Sequence, residues 1–227
     1  LITRNLLTLF ILSSFTNIAA IEPYELWWEN ALENTVSIDM FKSWLGDVEA
    51  DTRVLMRNYV KKNNFKSILD IPCGLCTDYY GFLKDNISIE YLGVDITKKL
   101  VNRALEFSIP AKEGNIEELS FETGSFEFVY ARHILEHLPS YEKALKELIR
   151  VASSEVYIVF FIKPQDDLLE NKINLDVTGH AKLYHNMYKK NEINDFLNSQ
   201  KEVLRFDWED ANSNEIILHI HIKQETL

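Results

Sequence analysis

DIPCGLCTDYY, residues 70–80, holds the chain's only two cysteines, Cys73 and Cys76, in a C-x-x-C spacing. Two readings of this stretch lead to unrelated molecules. A C-x-x-C that opens a helix can serve thiol–disulfide chemistry, because the helix N-terminus favours a thiolate. A glycine-containing turn between a strand and a helix can instead hold a nucleotide-like ligand, since it lets backbone approach closely and offers free N–H groups. The flanking residues bear on the choice. KSILDI is a short apolar run with Asp70 at its end, the pattern of a buried strand, and PCGLCTDYYGFLKDN reads as a turn opening into a helix.

Downstream, strand and helix patterns alternate. IEYLGVD is a second strand ending in Asp95, and ITKKLVNRALEF is an amphipathic helix with Thr97 at its start. IPAKEGNIEEL holds a weak third strand and a loop, Phe126 to Ala131 is a fourth strand, and SYEKALKELIRV is a helix. EVYIVFFIKP is almost unbroken in apolar and aromatic residues, as in the middle of a parallel sheet. KKNEINDFLNSQ is a last helix, and EVLRFDWED and NEIILHIHIK are two closing strands. The alternation predicts an α/β fold: a three-layer Rossmann-like sandwich whose seven-stranded sheet is mostly parallel with an antiparallel closing strand. Ligands in such sheets sit beyond the C-terminal strand ends, where Asp70, Gly74 and Asp95 fall. Asp70 also reads as a turn former, and Asp95 as a cap for the helix after it. A carboxylate at Asp95 can equally accept both hydroxyls of a ribose.

Residues 1–20, LITRNLLTLFILSSFTNIAA, combine Arg4, an apolar run from Leu6 to Phe15 and the small pair Ala19-Ala20. They read as a signal-like segment or an N-terminal extension. Ser13 and Ser14 interrupt a run already short for a bilayer, so no stable membrane span is expected. Residues 21–64 read as a helical N-terminal cap and residues 65–227 as the Rossmann-like domain. Within the cap, Tyr24, Trp27, Trp28 and Trp44 are candidates for a lid or for core packing. A net charge of −11 disfavours a broad nucleic-acid surface, which needs clustered Lys and Arg. Two cysteines cannot make a disulfide framework. His219 and His221 could supply an H-x-H pair to a metal, but they alternate with isoleucine on one strand and read better as its polar face, so no metal is expected.

Four motifs in order carry a resemblance. ILDIPCGLC resembles the first motif of class I S-adenosylmethionine-dependent methyltransferases, usually L-D-x-G-C-G-x-G, and YLGVDIT resembles their second. GNIEELSFETGSFEFVYARHILEHLPSYEKALKELIRV is similar to the third and fourth motifs of the methyltransferase type 11 group, G-D-x-x-x-L-P-F, S-F-D-x-V and H-x-L-E-H-L. The likeness covers roughly residues 65–163 and continues more weakly to about 222. It implies that Asp70, Pro72, Cys73 and Gly74 line the methionine end of the cosubstrate S-adenosyl-L-methionine. Asp95 would hold its ribose. Ile96, Asn115 and Ile116 would surround its adenine, with Asn115 where the family has an Asp. Arg132 and His133 would close over the methionine part and begin the acceptor pocket. Glu136 and His137 belong to the same signature and also suit packing and capping.

This sequence departs from the first motif at two glycines. Pro72 stands where the first belongs, with one N–H donor fewer, and Cys76 where the last belongs. GHAKLYHNMYKKNEI resembles a segment that carries a substrate-facing loop into a helix, which makes His180, Tyr184, His185 and Tyr188 candidates to line the acceptor site. Catalytic candidates are His133, His180, Tyr184 and His185, since a histidine can serve as general base toward an oxygen acceptor. The implied activity is methyl transfer to an unidentified small-molecule acceptor. Two other expectations stand beside it: a non-catalytic nucleotide-binding or regulatory module of the same fold, and an exported C-x-x-C thiol–disulfide protein. The methyl donor is kept inside cells, which favours the cytoplasm, whereas the signal-like N-terminus points to export or membrane association.

Overall fold

The computed structural model describes residues 46–178 and 181–224. The expectations for residues 1–45, including Tyr24, Trp27, Trp28 and Trp44, and for His180 lie outside the described residues. Nine strands follow in order among them: β1 Ser67–Asp70, β2 Glu90–Asp95, β3 Ala111–Glu113, β4 Phe126–Arg132, β5 Ala152–Phe160, β6 Leu175–Thr178, β7 Ala181–Tyr184, β8 Val203–Asp210 and β9 Ile216–Ile222. Five α-helices join them: α1 Asp51–Asn63, α2 Thr77–Lys84, α3 Lys98–Glu106, α4 Glu142–Val151 and α5 Lys190–Ser199, with a 3-10 turn at Leu135–His137. Among the described residues, no helix is long and apolar enough to cross a membrane.

Seven strands form one sheet in the order β3-β2-β1-β4-β5-β9-β8. β3, β2, β1, β4 and β5 pair in parallel, and β9 runs antiparallel to both β5 and β8. This is the expected sandwich. Successive side chains leave a strand on opposite faces, so β4 and β5 feed two cores. Val129, Ala131, Val156, Ile158 and Phe160 pack with Leu145 and Leu148 of α4 and with Ile193 and Leu197 of α5. Phe128, Tyr130, Tyr157 and Val159 pack with Met56 and Val60 of α1, Phe82 of α2 and Ala104 of α3. The chain reverses between β1 and β4, leaving a crevice at their C-terminal ends, the usual ligand position in doubly wound sheets.

Two features depart from the sequence reading. The loop expected before α5 is in part a hairpin, β6 pairing antiparallel with β7 from Leu175↔Tyr184 to Thr178↔Ala181. And the buried face of α1 is not purely apolar: it contains Arg53 and Arg57 beside Met56 and Val60. Both arginines are tied down. Arg53 pairs with Asp78. Arg57 bonds Asp85 at 2.6 Å and the Val48 carbonyl at 2.7 Å. Gly81 of α2 makes room for Arg57, since a Cβ there would lie 2.8 Å from its Cδ.

Candidate active site

β1 delivers Asp70 to the crevice, and residues 71–76 turn the chain into α2. The Ile71–Pro72 peptide is cis, and both Gly74 and Cys76 have φ of 53°. That left-handed conformation suits glycine, so the family's last glycine position is also a conformational requirement that Cys76 meets against its preference. The turn is bolted to β2: Cys73 N–H donates to the Val94 carbonyl at 2.9 Å. Gly93 permits this approach, because a Cβ there would stand 2.9 Å from Cys73 Cβ and Sγ. Gly93→Ala is therefore expected to cost about 1–3 kcal/mol by overpacking, read as a lower urea midpoint. An unchanged midpoint would mean that the turn is not pressed on β2.

Both cysteines are free and buried. The Cys73 thiol is pushed well up, first by its hydrogen bond with Cys76 and then by burial. Thiol–disulfide chemistry needs the opposite, a thiolate favoured near neutral pH, so the burial of both thiols argues against the redox reading of C-x-x-C.

Asp95 closes the crevice from β2. Its Oδ2 accepts Gly74 N–H at 2.9 Å, and its Oδ1 accepts Thr97 N–H at 2.9 Å. The carboxylate thus ties the motif turn to Thr97, the residue just ahead of α3. Burial pushes its pKa up, and the two backbone N–H groups pull against that. Each carboxylate oxygen has two acceptor sites, which leaves capacity for ligand hydroxyls. The Asp70 carboxylate accepts Tyr91 O–H at 2.6 Å. Burial raises its pKa to about 7, tempered by that hydrogen bond and by Arg53.

The Asn115 loop lies against the end of β2. Gly114 N–H donates to the Asp95 carbonyl at 3.0 Å, and a Cβ on Gly114 would stand 2.9 Å from Val94 Cγ1. Asn115 Oδ1 accepts Glu117 N–H at 2.8 Å, so this amide shapes its own turn as well as bordering the crevice. Ile116 is buried and Ile96 half-buried, both against the α4 and α5 side of the core.

The other half of the crevice is built from the end of β4. His133 has φ of 55°, and its N–H donates to the Val159 carbonyl at 2.9 Å. Glu215, in the turn between β8 and β9, reaches back across the sheet. Its Oε1 accepts from His133 Nε2 at 2.6 Å, Arg132 Nη2 at 2.8 Å and Thr52 Oγ1 at 3.3 Å. Burial works against its charge, but the hydrogen bonds from His133 and Asn212 and the Arg132 guanidinium hold its pKa down at about 2.

Below this group, Phe161 is ringed by His133 at 5.1 Å, His137 at 5.2 Å and His185 at 6.3 Å. His137 Nδ1 meets the Tyr184 carbonyl at 2.7 Å, and burial lowers its pKa to about 4. Glu136 is fully buried. Its Oε1 accepts Phe161 N–H at 2.7 Å and Ile162 N–H at 3.2 Å, while Oε2 has no partner among the described residues.

Residues 69–160 match the methyltransferase domain family. This segment is similar to methyltransferase domains. It runs from the last residues of β1 to the end of β5 and includes the motif turn, Asp95, Asn115, Arg132 and His133. A probable methyltransferase of Aspergillus luteorubrus is 35% identical to the chain over 41% of the chain and 38% of its own length. The ajmaline N-methyltransferase of Rauvolfia serpentina is 26% identical over 49% of the chain and 45% of its own length. The chain thus spans less than half the length of these relatives. Among solved structures, magnesium protoporphyrin IX methyltransferase of Synechocystis PCC 6803 with bound S-adenosylmethionine superposes with a TM-score of 0.63. That match has 14% identity and covers 90% of this chain and 99% of that one, a likeness of fold.

The sheet places Asp70, Pro72, Cys73, Gly74, Asp95, Ile96, Asn115, Ile116, Arg132 and His133 at or just beyond the C-terminal ends of its parallel strands. Cys73 is corrected in one respect: its side chain packs over Gly93 and toward Cys76. Tyr188 is corrected too. It is buried, its hydroxyl donates to the Leu135 carbonyl at 2.7 Å, and its ring stacks edge-on to Tyr141 at 5.0 Å, so it packs the core. His219 packs on the Tyr157 ring at 4.3 Å, and His221 Nδ1 lies 3.2 Å from Glu155, on the α1 face of β9 away from the crevice. Among the described residues, no three His, Cys, Asp or Glu side chains are grouped to hold a metal ion.

Sequence reasoning missed Arg53, Thr52 and Glu215. The signal for Arg53 was a charge at apolar spacing with Met56 and Val60. Glu215 had no local signal, because only the sheet order brings it to His133.

The buried Glu136 makes stability depend on pH. Burial raises its folded pKa from 4.5 to about 7, so the folded protein keeps a proton that the unfolded chain releases. The stability this group contributes is fully present below its unfolded pKa and is lost as pH rises through about 7. Glu136→Gln is expected to flatten the fall in melting temperature between about pH 5 and pH 8, with Asp70 keeping part of the slope. An unchanged slope would contradict the assignment.

Proposed function

We propose that the chain transfers a methyl group from S-adenosylmethionine to a small-molecule acceptor. The observation that carries this reading is the contact between Asp95 Oδ2 and Gly74 N–H at 2.9 Å, which holds the motif turn and the ribose-binding acid as one unit before any ligand arrives. The residues present fit the donor. Asp95 has acceptor sites for ribose hydroxyls, and Ile96, Ile116 and Asn115 border the adenine position. Asp70, Pro72, Gly74 and the backbone of Cys73 surround the methionine end. Arg53 and Arg132 give that end a positive field suited to the donor's carboxylate.

Bound S-adenosylmethionine supplies a methyl group already activated on a sulfonium. The protein's part is to hold the acceptor in line with it and to exclude water. Tyr184 and His185, with the Phe161 ring, border the acceptor side. The donor is an intracellular metabolite, so this reading places the protein in the cytoplasm.

The test is calorimetric titration with S-adenosylmethionine and S-adenosylhomocysteine. Saturable binding of both is expected, and no heat at millimolar ligand would sink the reading. Pro72 and Cys76, at the two glycine positions, support a second reading, a module that binds the nucleotide without transferring its methyl. Binding with no S-adenosylhomocysteine release across a broad acceptor panel would favour it.

A further inference from the structure

We infer that Glu215 is a positioning residue that holds His133 as a general base, and that the acceptor is therefore an oxygen nucleophile, a phenol or alcohol, that must lose its proton. The inference rests on the methyltransferase reading above and adds the acceptor class and a residue outside the matched domain.

His133 Nε2 lies 2.6 Å from Glu215 Oε1. Glu215 is fixed on every side. Oε1 also takes Arg132 Nη2 and Thr52 Oγ1, and Oε2 takes Asn212 Nδ2 at 3.0 Å. The turn that carries it is itself closed, with Glu215 N–H donating to Asn212 Oδ1 at 2.8 Å. A carboxylate surrounded by donors stays ionised, and an ionised carboxylate only accepts. His133 Nε2 must then carry the proton in this contact.

The charged and titratable groups facing His133 are its chain neighbour Arg132 at the end of β4, Arg53 on α1, Glu215 on the β8–β9 turn and His137 on the 3-10 turn. Burial and the two arginines keep the ring neutral at physiological pH, against the pull of Glu215. A neutral imidazole protonated at Nε2 has its lone pair on Nδ1. Among the described residues, Nδ1 makes no hydrogen bond. The ring is held by Glu215 at Nε2 and packed against Phe161 at 5.1 Å, just past the C-terminal end of β4.

In the reaction the acceptor oxygen attacks the sulfonium methyl while its proton passes to Nδ1. The carbon–sulfur bond breaks with its electron pair going to sulfur, and the imidazolium formed is stabilised by the Glu215 charge. An amine acceptor with a free lone pair would need none of this.

The decisive measurement is 15N NMR of the full chain saturated with S-adenosylhomocysteine, with the His133 signals assigned by their loss in His133→Asn. At about pH 7 a protonated Nε2 and a bare Nδ1 are expected. Glu215→Gln should lower the His133 pKa, because the carboxylate's hydrogen bond and charge raise it. A protonated Nδ1, or a His133 pKa unmoved in Glu215→Gln, overturns the dyad.

Calorimetry on the same sample is read separately. Failure to bind S-adenosylhomocysteine sinks the methyltransferase reading, whereas binding with the wrong tautomer sinks only the dyad.

The acceptor class is tested by S-adenosylhomocysteine release with simple phenols and with thiols already ionised at the assay pH. Glu215→Gln is expected to cut turnover of phenols by about 100-fold and to spare the thiols. It should also move the ascending limb of the pH–rate profile to lower pH. Equal losses for both classes, or wild-type turnover of amines but of no phenol, overturns the assignment.

Discussion

Arg53→Met lowers the free energy of unfolding by about 3–5 kcal/mol, the usual cost of breaking a buried ion pair from one side. The methionine fills much of the same space, so the loss is electrostatic. Asp78 is left charged in a side-chain environment only 3% exposed, with its Oδ1 already lacking a partner. Removal of the guanidinium also takes away a charge that holds Asp70 down, so the Asp70 pKa rises further. Urea unfolding measures the first effect. The double variant Arg53→Met with Asp78→Asn should recover a large part of it, because the stranded charge is gone. A loss below about 1 kcal/mol in the single variant would show the pair to be no better than an exposed one.

Asp95→Ala weakens S-adenosylhomocysteine binding by about 100-fold, the equivalent of one or two hydrogen bonds to a charged acceptor. The same change removes the acceptor for Gly74 N–H and Thr97 N–H, so the unliganded protein also loses about 1–2 kcal/mol of stability as two backbone N–H groups lose their partner. Calorimetry and urea unfolding separate the two effects. Asp95→Asn keeps one acceptor oxygen and should fall between wild type and alanine in both. Affinity within about threefold of wild type in Asp95→Ala would remove Asp95 from the cofactor site.

The parts of this molecule that could be read from the chain are those whose physics is local. A buried parallel strand such as β5 announces itself as a run of apolar residues. The turn after β1 announces itself as a strand, a glycine and a helix start, and Asp95 by its place at the end of the next strand. The mostly parallel sheet followed from the alternation of strand and helix patterns, whereas the order of its strands appears only in the structure. The hidden parts depend on distance in the sequence. Glu215 lies 82 positions from His133 and meets it only because β9 inserts between β5 and β8. The β6–β7 hairpin lies in a stretch with mixed strand and loop character, and pairing rather than composition makes it a hairpin. Tyr188 had the chemistry of a site residue, and its buried hydroxyl partner at Leu135 assigned it to the core. Cys76 is the reverse case. Its departure from the glycine pattern was visible, but the left-handed backbone that makes glycine the natural choice appears only in three dimensions.

The turn between β8 and β9 bears on how this architecture could be cut and rejoined. The segment that matches the domain family, residues 69–160, carries the turn and the acid to which the proposed function assigns the donor. The groups that brace Arg132 and His133 come from outside it, Thr52 before and Glu215 after. A chimaera that transplanted only the matched segment would bring the nucleotide cradle intact while leaving Arg132 and His133 unbraced. On the proposed function, affinity for the donor and capacity for deprotonating an acceptor sit on different stretches of chain, and exchanging the C-terminal hairpin alone offers a route to new acceptor chemistry on an unaltered cradle.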